Sequence, residues 1–247
     1  MERNLSFETE KLSEIAVHLA WAQLEIFADD VEKIQVMAAG DENTTNDLRI
    51  EVKDNVLLVE QPQYGISFNI TDSKWLQVCV RVPRTWKKLI RCNTISGLLS
   101  ARKLSGSEIA LDTVSGDVQA LKLTSPQMFV RTVSGDVRGE ELTAERLNVR
   151  SVSGNMALDT LSVGSLHGGS ISGEQAYNML GSFERVDVTA VSGNVIITSP
   201  VDEMSVSLRS ISGRVRTEGV TIAERAGLPS VRVTGVSADL KLIGIKE

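Results

Sequence analysis

The chain has 247 residues, of which 42% are hydrophobic and 23% charged, a composition that supports a buried core. Its net charge of −6 argues against a surface built to neutralise phosphates, so nucleic acid is not an expected partner. Aromatic residues make up only 4%, which argues against a stacking platform for single strands or sugars, and no run approaches the ~18 apolar residues that read as a membrane span.

In chain order, "MERNLSFETEKLSEIAVHLA" carries neither a basic-then-apolar leader nor a lipid-attachment cysteine, so a cytoplasmic location is expected for the chain as it stands. "ETEKLSE" at 8–14 reads as a helical turn or an extra strand. "AWAQLEIFA", "KIQVMA", "LRIEV", "NVLLVEQ", "GISFNI" and "WLQVCVRVP" read as short strands, joined by polar turns such as "GDENTTND" at 40–47. Residues 1–89 are therefore expected to form a β-meander that caps whatever follows. An uncapped sheet edge would invite pairing with another chain.

Cys79 and Cys92 are the two cysteines, too few for a secreted disulfide scaffold. A bond between them is compatible with the sequence; two free thiols is the simpler reading. Val78, Val80 and Val82 form an apolar face that leaves Cys79 on the opposite one. Arg81, Arg84, Lys87, Lys88 and Arg91 make the one basic patch, a candidate contact for an anionic partner and equally a solubilised strand edge.

From residue 90 the chain repeats. Ser-Gly pairs stand at Ser96-Gly97, Ser115-Gly116, Ser134-Gly135, Ser153-Gly154, Ser172-Gly173, Ser192-Gly193 and Ser212-Gly213, in steps of 19, 19, 19, 19, 20 and 20. A degenerate copy, Ser237-Ala238-Asp239, follows after 25 residues, the excess "GVTIAERAGLPS" reading as a loop on one rung. Ser105-Gly106 lies half a period after the first pair. Six residues before each Ser stand Ile90, Ile109, Met128, Leu147, Leu166, Val186, Val206 and Val231. Four before it stand Cys92, Leu111, Val130, Val149, Gly168, Val188, Leu208 and Val233. Three after it stand Leu99, Val118, Val137, Met156, Gln175, Val195, Val215 and Leu240. Directly before it stand Ile95, Val114, Val133, Val152, Ile171, Val191, Ile211 and Val236, also expected in the core. Two before it, Thr94, Thr113, Thr132, Ser151, Ser170 and Ser210 form a hydroxylated strand row.

This period-2, β-branched pattern broken by glycine denotes strands. The fold expected is all-β: a single-stranded β-helix or solenoid, right-handed winding favoured, with 19–20-residue rungs over 90–247. About seven rungs at the ~4.8 Å strand spacing give a rod roughly 30–35 Å long. A propeller would need blades of about 40 residues. The Ser-Gly pairs are the structural turn ladder, glycine supplying positive φ or a spot where no Cβ fits.

Asp117, Asp136 and Asn155 follow the glycines and are the candidate metal ligands, since calcium seeks stacked oxygens. The same column holds Glu174 and Arg214, which favours turn chemistry instead. No cofactor motif or catalytic constellation emerges. His18 and His167 lack zinc spacing, His167 reading as a solvated surface residue. Glu140, Glu141 and Glu145 cluster in an apparent loop and read as a solvated charge run rather than a glycosidase pair.

"VRVPRTWKKLIRCNTISG" at 80–97 followed by recurring "VSGD/N" resembles the bacterial DUF4097 family, labelled "putative adhesin" and also called toastrack domains, from about Leu24 to Gly244. The resemblance implies a β-solenoid without established enzymatic activity, often tied to membrane segments or envelope-stress systems. It supplies no catalytic or binding residues to carry over. The expected function is a non-enzymatic interaction scaffold, monomeric or weakly self-associating, whose partner is an unknown protein or envelope component. The alternatives are a carbohydrate-binding or carbohydrate-cleaving β-helix and a self-assembling cytoskeletal solenoid.

Overall fold

The computed structural model of the protein describes residues 1–62 and 75–245; the expected strand "GISFNI" lies outside them. The fold is an all-β open solenoid. Its strands are β1 (Glu2–Phe7), β2 (Glu14–Leu19), β3 (Gln23–Asp29), β4 (Ile34–Gly40), β5 (Arg49–Lys53), β6 (Val56–Glu60), β7 (Leu76–Pro83), β8 (Leu89–Ser96), β9 (Leu99–Arg102) and β10 (Glu108–Ser115). They continue with β11 (Val118–Thr124), β12 (Gln127–Arg131), β13 (Val137–Ser153), β14 (Met156–Ser172), β15 (Gln175–Met179), β16 (Arg185–Ser199), β17 (Glu203–Arg209), β18 (Val215–Glu218), β19 (Thr221–Ile222) and β20 (Ser230–Gly244). The one helix among the described residues is α1 (Glu42–Asp47), in place of the expected polar turn. Its buried Thr45 and the buried Leu48 just beyond it explain the difference, because a single helical turn folds both inward.

The Ser-Gly pairs mark the corners between strand stretches, Ser192-Gly193 lying within the continuous β16, and equivalent strands stack in parallel. On one ladder Ile90, Ile109, Met128, Leu147, Leu166 and Val186 are successive partners. On the other, Leu99, Val118, Val137, Met156, Gln175 and Val195 are. The columns six and four before Ser, and three after it, line one continuous aliphatic core over most of their length. No single rung could bury that face alone, so stacking is the source of stability.

Parallel stacking begins ahead of residue 90. β2 pairs with β8 and β3 with β9, so 14–29 lies on the first Ser-Gly rung as a parallel layer. Its corner holds Ala22 in place of glycine, and Gln61 Oε1 accepts from the amides of Ala20 and Trp21. Antiparallel pairings of β1 with β4, β4 with β7 and β5 with β6 then close this end. Arg3 donates to the carbonyls of Thr45 and Leu48 at 2.9 and 2.7 Å, fastening α1 there.

The other end departs from sequence order. β20 pairs with β16 on one side and with β17 and β18 on the other, so the degenerate last copy is inserted between the sixth and seventh. Residues 219–229 are the crossover that brings the chain back, not a loop on a rung. The reason lies in the inward residues. Val231, Val233, Leu240 and Leu242 of β20 are fully buried, while β17 and β18 offer Val206, Leu208, Val215 and Thr217. The more apolar layer takes the site with two neighbours. Lys241 therefore lies on an internal strand and pairs with Glu218 at 3.0 Å.

Candidate functional site: an outward aliphatic ridge and the groove beside it

Side chains alternate across a strand, so the columns six, four and two before Ser share one face and the column directly before Ser takes the other. The structure obeys this parity. Thr94, Thr113, Thr132, Ser151 and Ser170 are buried. Ile95, Val114, Val133, Val152, Ile171, Val191 and Val236 are 41–52% exposed, and Ile211 84%. The expectation that this second set fills the core is corrected. The core narrows at the corner, where a short hydroxyl can bond locally: Thr94 donates to Thr113 Oγ1, which accepts from the Gly116 amide at 3.1 Å. The result inverts ordinary solvation, with threonine inside and valine outside.

The glycine column explains why the corner repeats. At Gly135 φ is +151°, and a Cβ would lie 2.2 Å from the Gly116 carbonyl oxygen of the rung before. Gly154, Gly173 and Gly193 stack in the same way. The residues after glycine tie the rungs together. Asp117 Oδ1 accepts from the Asp136 amide at 2.9 Å, Asp136 Oδ1 from Asn155 at 3.0 Å, and Asn155 Oδ1 from Glu174 at 3.0 Å. One oxygen of each candidate metal ligand is thus engaged with backbone. Among the described residues no three His, Cys, Asp or Glu side chains converge as a cation cage.

Beside the ridge, a groove of roughly 630 Å3 runs over the first rungs, lined by His18, Asn93, Asp112, Ile95 and Val114 among others. The Asn93 amide meets His18 Nδ1 at 2.9 Å. Half-burial raises the Asp112 carboxyl above its ordinary range against the pull of Arg131, 3.7 Å away. His167 lies farther along the same outer face, 3.6 Å from Asp187, which Arg185 also holds.

The basic residues do not form a free patch. Arg81 pairs with Asp29 at 2.5 Å, Arg84 with Asp30 at 3.3 Å, and Arg91 with Glu14 and Glu108 at 3.5 and 3.4 Å. Lys88 donates to the carbonyls of Thr9, Glu10 and Leu12. Lys87 is exposed. Glu140, Glu141 and Glu145 lie along β13 rather than in a loop; Glu141 pairs with Lys122 at 2.8 Å, while Glu140 and Glu145 line separate concavities. Cys79 and Cys92 are both free thiols.

The comparisons agree with this architecture. Among solved structures, a "putative adhesin" from Bacteroides fragilis NCTC 9343 is 14% identical with TM-score 0.63, over 99% of this chain and 97% of that one. Another from Parabacteroides distasonis ATCC 8503 is 12% identical with TM-score 0.66, over 98% and 97%. A "putative lipid binding protein" from the same strain is 15% identical with TM-score 0.60, over 100% and 96%. At such identity the likeness speaks for the fold alone. No curated protein matches the chain. The profile of the family described as Toastrack DUF4097 matches residues 12–239, nearly the whole chain, and the protein belongs to that family.

Proposed function

We propose that the protein is a non-enzymatic interaction scaffold whose ridge, running in space from Ile95 through Val191 and Val236 to Ile211, docks a protein partner, an envelope component by family resemblance. One observation carries this reading: at the corner the chain places β-branched aliphatics outward and hydroxyls inward. A single exposed valine carries no information. Eight in one row at the ~4.8 Å rung spacing form an unbroken apolar strip about 34 Å long. Threonine would stack equally well in a strand and is better solvated, so the solenoid's own stability does not call for valine there. The names "putative adhesin" and "putative lipid binding protein" borne by structurally similar proteins are consistent with a surface that binds.

The test is a cross-linked pull-down from the native cell, comparing the wild-type chain with a Val114→Ser/Val133→Ser/Val152→Ser variant. These side chains are exposed, so the variant should melt near the wild-type temperature and lose the partner. A partner kept by the ridge variant but lost with changes on the Gln119 and Arg138 face would move the site.

The groove at His18, Asn93 and Asp112 favours a second reading, in which a polar ligand such as a glycan binds beside the ridge. A glycan array sensitive to Asn93→Ala would support it, and an array without hits would remove it.

A further inference from the structure

The insertion of β20 leaves β17 and β18 as the last layer of the stack. β18 has β20 on one side and no strand on the other among the described residues, and β17 is covered only at Glu203 and Met204 by β19. The direction of the free groups follows from the ladder. The Ser205 amide donates to Pro229 of the crossover, and the Arg214 carbonyl accepts from Leu240. Alternation along each strand then aims the amides and carbonyls of Val206, Leu208, Val215 and Thr217 at the open edge. Around them the surface is aliphatic: Val206, Leu208 and Val220 are half-buried, and Ile211, Val215 and Ile222 exposed. An edge of this kind is a template for another strand.

We propose that this end is a self-association surface, through which two copies of the chain pair tail to tail about a two-fold axis. Three observations select a second copy. At the opposite end the outermost strands β1 and β5 are antiparallel to their neighbours, so a copy added there head to tail would not continue the parallel stack. A two-fold contact instead uses the same edge twice and closes. Next, the backbone accepts the register. Antiparallel pairing of β18 centred on Thr217 sets that residue opposite itself with its amide and carbonyl at the free edge, while β17 stays out of the pairing because β19 already occupies its edge at Glu203 and Met204.

The charges also complement themselves. That register places Arg216 opposite the partner's Glu218, twice across the axis. Within its own chain Glu218 uses Oε1 on Lys241, which leaves its second oxygen for the partner. The contact spans a single layer, so it belongs to the small, concentration-dependent class of interfaces.

Sedimentation equilibrium of the full chain across micromolar concentrations tests the proposal. The expected result is a monomer–dimer equilibrium that ends at the dimer. A monomer throughout, or species that keep growing beyond two, would overturn it. Arg216→Glu sets like charges face to face and should weaken the dimer about threefold to tenfold, with an unchanged circular dichroism spectrum. Arg216→Glu/Glu218→Arg restores the opposite-charge pairs and should recover the wild-type dimer to within about twofold. Failure of that recovery overturns the pairing. Thr217→Pro removes an amide that faces the open edge and should abolish the dimer while the monomer stays folded, as prolines on free strand edges do. A dimer that survives Thr217→Pro also overturns the proposal.

Discussion

The Tyr177 hydroxyl occupies the space that a side chain at position 168 would need. A Cβ on Gly168 would lie 2.3 Å from Tyr177 Oη, and the tyrosine is fully buried. Its hydroxyl donates to Gln175 Oε1 at 2.9 Å, and Gln175 Nε2 donates to the Thr189 carbonyl at 3.2 Å. The aliphatic column four before Ser is therefore interrupted at Gly168 because the core columns facing it carry a glutamine and a tyrosine.

This compensation is measurable. Gly168→Val should destabilise the protein by about 3 kcal/mol through overpacking. Tyr177→Phe leaves Gln175 Oε1 without its donor and should cost about 1–2 kcal/mol. Gly168→Val/Tyr177→Leu should be less harmful than the sum of its single changes, because valine then fills the volume that tyrosine vacates. Chemical denaturation of wild type, Gly168→Val, Tyr177→Leu and the double variant closes the cycle, and strict additivity would show that the two sites do not share a cavity.

The corner separates backbone constraint from side-chain bonding. Gly135→Val forces a β-branched residue to positive φ against the Gly116 carbonyl and should cost more than about 3 kcal/mol. Asp136→Ala removes one acceptor from the Asn155 amide and should cost about 1 kcal/mol. Equal melting temperatures for the two variants would contradict the corner assignment.

Two buried threonines of one column should respond in opposite ways. Thr113 Oγ1 accepts from Thr94 and from the Gly116 amide, so Thr113→Val should cost about 1–2 kcal/mol. Thr132 Oγ1 is buried without a partner, so the isosteric Thr132→Val should be neutral or stabilising. Comparing midpoints in urea at equal m-values decides this.

Alkaline pH should destabilise the fold. Burial pushes the Cys92 thiol up from 9.0 to about 12, and the fully buried Tyr177 phenol moves in the same direction. A folded-state value above the unfolded one means that this stability is fully present below pH 9 and lost as pH rises toward 12. Cys92 alone contributes a slope of up to about 1.4 kcal/mol per pH unit across that window. Cys92→Ala should flatten the alkaline limb. A thiol reagent at neutral pH should label half-buried Cys79 in the folded protein and reach Cys92 only on unfolding.

Much of this protein was legible in the residue order. Recurrent Ser-Gly pairs and columns of β-branched residues specify strands, corners and layers, because a stacked repeat must meet the same steric test at each level. The first layer was hidden, since its corner is Ala22 with Gln61 bonding in place of Ser-Gly. The second corner was hidden too. Lys103, Lys122, Glu141 and Thr160 recur at 19-residue spacing with φ of 55–58°, and side chains that rarely adopt that region leave no trace of it in sequence.

The facing of valine and threonine was fixed by parity, which outweighs hydrophobicity one residue at a time. What only the tertiary structure decided was the stacking order. Each layer's sequence is compatible with either place in the stack, but an inner layer has both edges paired and both sides covered. The β20 layer, with Val231, Val233, Leu240 and Leu242 inward, gains more from that place than the layer carrying Thr217 and the exposed Ile211. The chain therefore folds back, and its weaker layer is left at the open end.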